Sequence, residues 1–114
     1  MSDVTTMSDE EILAQIKAET AGSRIFLYMK GTPDAPACGF SMRVVQMLSH
    51  LEVEYGSRDI LEDARVRQIL STWSDWPTIP QLFVDGTLVG GCDIVTELFQ
   101  DGELQQMLPG AKAS

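Results

Sequence analysis

Cys38 stands in the stretch "PDAPACGFSMRVVQML" (33–48), at the mouth of a segment whose apolar residues recur at helical spacing. A thiol is nucleophilic and metal-binding only as thiolate, and the dipole and unsatisfied N–H groups of a helix N-terminus lower its pKa. Three places on, where a redox helix would hold a second thiol, the chain has Ser41. A hydroxyl is not ionised at neutral pH and forms no disulfide, so two-thiol turnover between Cys38 and residue 41 is excluded. Gly39 lets the backbone approach whatever the sulfur touches. Most free cysteines are small buried hydrophobes, but the Pro- and Gly-rich loop around Cys38 argues for an exposed and functional thiol. Cys92 follows Gly90-Gly91 and precedes an apolar helical pattern, which reads first as a core position. A second ligand role for it, or a disulfide with Cys38, stays open. His50, the single histidine, falls near a helix C-terminus and reads as a solvated side chain; its solitude speaks against a histidine-containing metal cluster. Trp73 and Trp76 read as packing residues.

These residues need elements to position them. "SDEE" (8–11) matches a capping box, with a short amphipathic helix through Ile12, Leu13 and Ile16 after it. "RIFLYMKG" (24–31) is a brief apolar run that suits a strand buried on both faces. "GTPDAPA" (31–37), with two prolines, reads as a loop. A helix is expected from Phe40 to Leu51, a strand over "VEYGSRDI" (53–60), and a second helix over "LEDARVRQILSTW" (61–73) with Val66, Ile69 and Leu70 inward. Strand, helix, strand in that order implies a right-handed parallel crossover. "QLFVDGTLVGG" (81–91) places two apolar runs around Asp85-Gly86, the dipeptide suited to a tight hairpin turn. "DIVTELFQDGELQQML" (93–108) closes the chain in one or two helices.

With 114 residues, the chain has room for one domain spanning 1–114, with 1–8 and 109–114 expected as flexible tails. A hydrophobic fraction of 44% and a charged fraction of 22% are those of ordinary globular proteins. A net charge of -9 repels phosphate backbones and anionic lipid, which sets nucleic acid and membrane surfaces aside as partners. No apolar run approaches the length of a membrane span, and the start "MSDVTTMSDEE" lacks the basic n-region and apolar run of an export signal. Two cysteines are too few for a disulfide framework, so a reducing cytoplasmic setting is expected.

Three stretches, "MKGTPDAPACGFS" (29–41), "WPTIPQLFVDG" (76–86) and "GGCDIVTE" (90–97), together with the spacing between them, resemble the monothiol glutaredoxins of the Cys-Gly-Phe-Ser class. The likeness runs from about Ile12 to Leu108. It implies an α/β thioredoxin-like fold, a four-stranded mixed sheet flanked by helices, with a cis peptide bond before Pro80. It also implies glutathione as a ligand. Lys30 and Arg67 would hold its glycine-end carboxylate by charge-assisted hydrogen bonds, and Ile79 would pair its backbone with the cysteinyl unit. The γ-glutamyl carboxylate would meet backbone N–H groups from Gly91 to Asp93, with Cys92 beside it and the Asp93 side chain at the amine. Taken alone, Asp93 reads as a helix cap, and Lys30 and Arg67 as solvated charges.

A [2Fe-2S] cluster needs four ligands, usually thiolates. The resemblance implies that Cys38 from each of two chains and two glutathione thiolates supply them, in a cluster-bridged homodimer. The function it implies is that of a cluster carrier with Cys38 as metal ligand, serving apo iron–sulfur proteins and pairing with BolA-like proteins. The alternative is a glutathione-dependent thiol-disulfide oxidoreductase with Cys38 as sole nucleophile and free glutathione resolving it. Gly39, where dithiol glutaredoxins carry proline, and the longer loop between Lys30 and Cys38 favour the carrier.

Overall fold

The computed structural model describes residues 7–111. Of the expected tails, 1–8 and 109–114, residues 1–6 and 112–114 lie outside the described residues. Helix α1 (Asp9–Gly22) starts where the capping box requires: the Ser8 hydroxyl accepts from the Glu11 N–H (3.2 Å) and the Glu11 carboxylate accepts from the Ser8 N–H (3.1 Å). Strand β1 (Ile25–Met29) is buried at every position. Its alternation explains the unbroken apolar run: Ile25, Leu27 and Met29 face one core, Phe26 and Tyr28 the other.

The stretch expected to be a loop is partly ordered as a small antiparallel ribbon, β2 (Gly31–Thr32) with β3 (Ala35–Pro36). Gly31 has φ 84°, and a Cβ there would stand 2.5 Å from the Ala35 carbonyl, so only glycine turns this corner. The Asp59 carboxylate accepts from the Gly31 N–H (2.9 Å) and ties the ribbon to the end of β4. Helix α2 (Gly39–His50) buries Val44, Val45, Met47 and Leu48.

Strand β4 (Gly56–Asp59) is shorter than expected. Its entry is taken up by closing α2: Glu52 sits at φ 54° and the Val53 N–H donates to the Leu48 carbonyl (3.4 Å). A 3-10 turn (Ile60–Glu62) then precedes α3 (Ala64–Ser74), because Asp59 and Asp63 each cap a separate turn through their carboxylates. Strands β5 (Gln81–Val84) and β6 (Thr87–Gly90) form the expected hairpin, with Asp85 at φ 50° and Gly86 at φ 81°, the two positive values of its tight turn. The chain ends in two helices, α4 (Cys92–Gln100) and α5 (Leu104–Met107).

The sheet runs β4-β1-β5-β6, with β1 parallel to β4 and antiparallel to β5, the mixed sheet that the sequence implied. Helices α2 and α4 pack together over one face and α1 and α3 over the other. On the second face Phe26, Tyr28, Phe83 and Trp73 form a chain of ring contacts, with Trp73 stacked on Phe83 at 5.7 Å. A polar knot lies beside it. The Tyr28 hydroxyl donates to Glu19 (3.0 Å), and the buried Arg58 guanidinium pairs with the same carboxylate oxygen (3.0 Å). Burial first, then the Glu19 charge and hydrogen bond, pushes the Tyr28 phenol far above the ordinary tyrosine range.

Glu19→Ala leaves the Arg58 guanidinium and the Tyr28 hydroxyl without their shared partner, and should cost about 2 kcal/mol in urea unfolding. Asp85→Asn, which removes the exposed pair with Arg24 yet tolerates the positive φ, should stay within about 0.5 kcal/mol. Equal losses in the two variants would refute this ranking. Because the folded-state phenol is raised, its contribution is intact below the ordinary tyrosine pKa of about 10 and lost as pH climbs above it. The urea midpoint of the wild type should therefore fall at alkaline pH more steeply than that of Tyr28→Phe.

Candidate functional site

Cys38 is the N-cap of α2, in extended backbone just before the helix, where its sulfur accepts from the Ser41 N–H (3.4 Å). Ser41 is wholly buried. Its hydroxyl oxygen accepts from the Lys30 N–H (3.1 Å) and lies 3.3 Å from the Cys38 sulfur. With one lone pair taken by Lys30, the hydroxyl proton is free to turn toward a thiolate and donate to it. Partial burial pushes the Cys38 thiol up, but the Ser41 hydroxyl, the Ser41 and Phe40 amides and the Lys30 charge together bring it below the ordinary thiol value. The residue that the sequence presented as a missing thiol is thus a donor to the remaining one. Gly39 has nothing within 4 Å of where a Cβ would stand, so the fold itself makes no demand for glycine there.

Beside the thiol lies a groove of ≈ 320 Å³. Lys30, directly after β1, and Arg67, exposed on α3, line it together with Phe40 from the first turn of α2. Ile79, buried and joined to Pro80 by the cis peptide bond that the resemblance implied, lines it from the loop before β5. Gly91, Cys92 and Asp93 line it from the start of α4. Lys30, Arg67, Ile79, Cys92 and Asp93 are therefore brought together from four separate parts of the chain, while Cys38 is outside the groove lining, two residues before Phe40. A larger hollow of ≈ 680 Å³, lined in part by Arg24, Glu52, Glu54 and Tyr55, lies at the other end of β1 and is lined by neither cysteine.

Two expectations are corrected. Asp93 is not the cap of α4: Gly91 is, and no side chain caps the first turn. The leading N–H groups of α4 are thus left without a side-chain acceptor, with the Asp93 carboxylate in the same turn. Trp76, read as packing, also lines the groove, whereas Trp73 does pack. A Cβ at residue 91 would stand 3.0 Å from Trp76 Nε1 and 3.3 Å from the Pro80 carbonyl, so glycine allows α4 to begin against the groove wall. Cys92 is buried in the core and faces the groove, its sulfur 3.9 Å from Thr96 Oγ1. Both cysteines are free thiols in this structure. His50 is exposed at the end of α2 and meets Phe99 edge-on at 5.5 Å. Among the described residues, no group of three or more His, Cys, Asp or Glu side chains is placed to hold a metal ion, and no helix is long and apolar enough to cross a membrane.

The reading of the sequence missed three further features. Phe40 is 62% exposed beside the thiol. Thr78 lines the groove next to Ile79. Gln81, wholly buried, donates through Nε2 to the Trp76 (3.0 Å) and Thr78 (3.2 Å) carbonyls. The only hint of the last is an amide at the head of an apolar strand run.

A glutaredoxin family model matches residues 25–89. Glutaredoxin 4 of Pasteurella multocida (strain Pm70) is 50% identical, over 90% of this chain and 94% of that protein. A probable monothiol glutaredoxin 2 of Rickettsia typhi (strain ATCC VR-144 / Wilmington) is 48% identical, over 90% of this chain and 92% of its own. Among solved structures, a buckwheat glutaredoxin-glutathione complex shares the fold with a TM-score of 0.78 at 24% identity, covering 88% of this chain and 89% of that one.

Iodoacetamide alkylation followed against pH should give Cys38 a midpoint below that of an ordinary thiol, while Cys92 reacts only on unfolding. Ser41→Ala removes the hydroxyl donor, moves the midpoint up and slows alkylation at pH 7 by about fivefold, the worth of one net hydrogen bond. An unchanged midpoint in that variant would show that the hydroxyl does not stabilise the thiolate.

Proposed function

Because this chain belongs to the glutaredoxin family, in its monothiol branch, we propose that it carries a [2Fe-2S] cluster between assembly and recipient proteins in the cytoplasm. The observation that carries this reading is a single lowered-pKa thiol at a helix N-terminus, backed by a hydroxyl instead of a second thiol and set beside a cationic groove. A thiolate with no internal partner for a disulfide stays available to a metal.

The groove's chemistry fits glutathione, a tripeptide with two carboxylates, one amine and one thiol. Lys30 and Arg67 suit the glycine-end carboxylate, the Ile79 backbone suits the cysteinyl unit, and the uncapped start of α4 suits the γ-glutamyl carboxylate, with Asp93 for the amine. The cluster is cargo. Its four ligands are Cys38 from each chain of a homodimer and two glutathione thiolates. Half of that set is exchangeable, so the cluster can leave without unfolding the protein. BolA-like proteins are the proposed heterodimer partners and apo iron–sulfur proteins the recipients.

Anaerobic reconstitution with iron and sulfide, read by visible absorbance and size-exclusion mass, tests this. The expected result is a coloured dimer that forms only with glutathione and is lost in Cys38→Ser. Colour on a monomer, or in Cys38→Ser, overturns the ligand set. Fast turnover of a glutathione mixed disulfide by a protein that takes up no cluster would replace the carrier with the oxidoreductase reading.

A further inference from the structure

The loop 75–80 joins α3 to β5 and supplies Trp76, Thr78 and Ile79 to the groove wall. Two of its residues, Pro77 and Pro80, have no N–H, and the loop forms no regular element. The loop's own backbone is therefore poor in donors, and its partly buried carbonyls are served from elsewhere. A single side chain meets that need: the Gln81 Nε2 donates to the carbonyls of Trp76 and Thr78 at 3.0 and 3.2 Å. The orientation of the amide is fixed by chemistry, since an oxygen facing two carbonyls would repel both. Gln81 is wholly buried at the head of β5, where it pairs with Tyr28 of β1, so the clamp is anchored in the buried interior of the sheet.

The arrangement is unfavourable by one measure. The Gln81 Oε1 is buried with no hydrogen-bond partner, and an apolar side chain of the same shape would avoid that loss. Nothing in the core requires an amide here. What requires it is the position of the loop.

We infer that Gln81 is a positioning residue for the groove: it touches no ligand, but through the Trp76 and Thr78 carbonyls it fixes the wall on which Ile79 and Thr78 meet glutathione. The inference rests on the reading of the groove as the glutathione site. It separates binding from stability, because the group that shapes the wall also leaves a buried oxygen unpaired.

The test uses the full chain and glutathione itself. Gln81→Met keeps length and removes both polar atoms; Gln81→Glu keeps shape and replaces the donor with an oxygen. Titration calorimetry should show glutathione bound about tenfold more weakly by both variants, in line with losses seen when a supporting hydrogen bond is removed from behind a ligand contact. Thermal unfolding of Gln81→Met should be as high as that of the wild type or higher, amide exchange at Ile79 should quicken, and the Cys38 alkylation midpoint should not move. Wild-type affinity in Gln81→Met, or weakening matched by a fall in its unfolding temperature, overturns the inference and leaves the groove reading intact. No glutathione binding by the wild type overturns the groove reading and this inference together.

Discussion

A hydroxyl shut away from water has to find both a donor and an acceptor inside the protein, and Ser41 finds them in the Lys30 amide and the Cys38 sulfur. The first belongs to the residue that ends the central strand, the second to the cap of the next helix. One buried oxygen thus couples the end of β1 to the start of α2 and sets the height of the thiol above the sheet. Much else follows from that coupling. Because β1 pairs antiparallel with β5, the loop that enters β5 reaches the groove from beside the strand end that carries Lys30. A larger or apolar side chain at position 41 would orphan the Lys30 amide as well as removing a donor to the thiolate.

The parts of this design that depend on local chemistry were readable from residues alone. Asp85-Gly86 specified its turn through two positive φ values, and Ser8 with Glu11 marked the start of α1. The thiol's place before α2 followed from prolines and glycines that no helix interior accepts. Longer-range terms were not readable. Asp59 does end its strand, but its carboxylate also serves the Gly31 and Leu61 amides and caps a separate turn, and the Asp63 carboxylate caps α3, so the expected helix is cut back to Ala64. Asp93 looked like a cap because acidic residues favour that position, but Gly91 takes it, where the backbone must pass close to Trp76. Ser41 was legible as an absence and not as a donor, since its second partner, Lys30, approaches only once the strand is in place. The set of groove residues came from the resemblance. Their spacing of up to 63 positions, from Lys30 to Asp93, has no local signature.

Charge shows the same division between what composition says and what placement says. The chain as a whole is strongly acidic, at -9. Three of its basic side chains, Arg24, Arg58 and Arg65, are held in ion pairs with carboxylates. Lys30 and Arg67 are instead placed on the groove. At physiological ionic strength, charges on the surface are screened beyond about 8 Å. An anion at the groove therefore responds to the cations lining it more than to the acidic surface beyond, so the net charge that repels polyanions does not bar a small dicarboxylate.

The central strand is also the first in sequence, and its neighbours come late: β1 ends at Met29, β4 begins at Gly56 and β5 at Gln81. During synthesis the most apolar strand of the protein leaves the ribosome long before either edge can be sealed. Its antiparallel edge stays open until Val84 has emerged. Sheet formation is thereby deferred to the final quarter of translation, and until then a bare strand of five buried-type residues is the segment most in need of shielding from other chains.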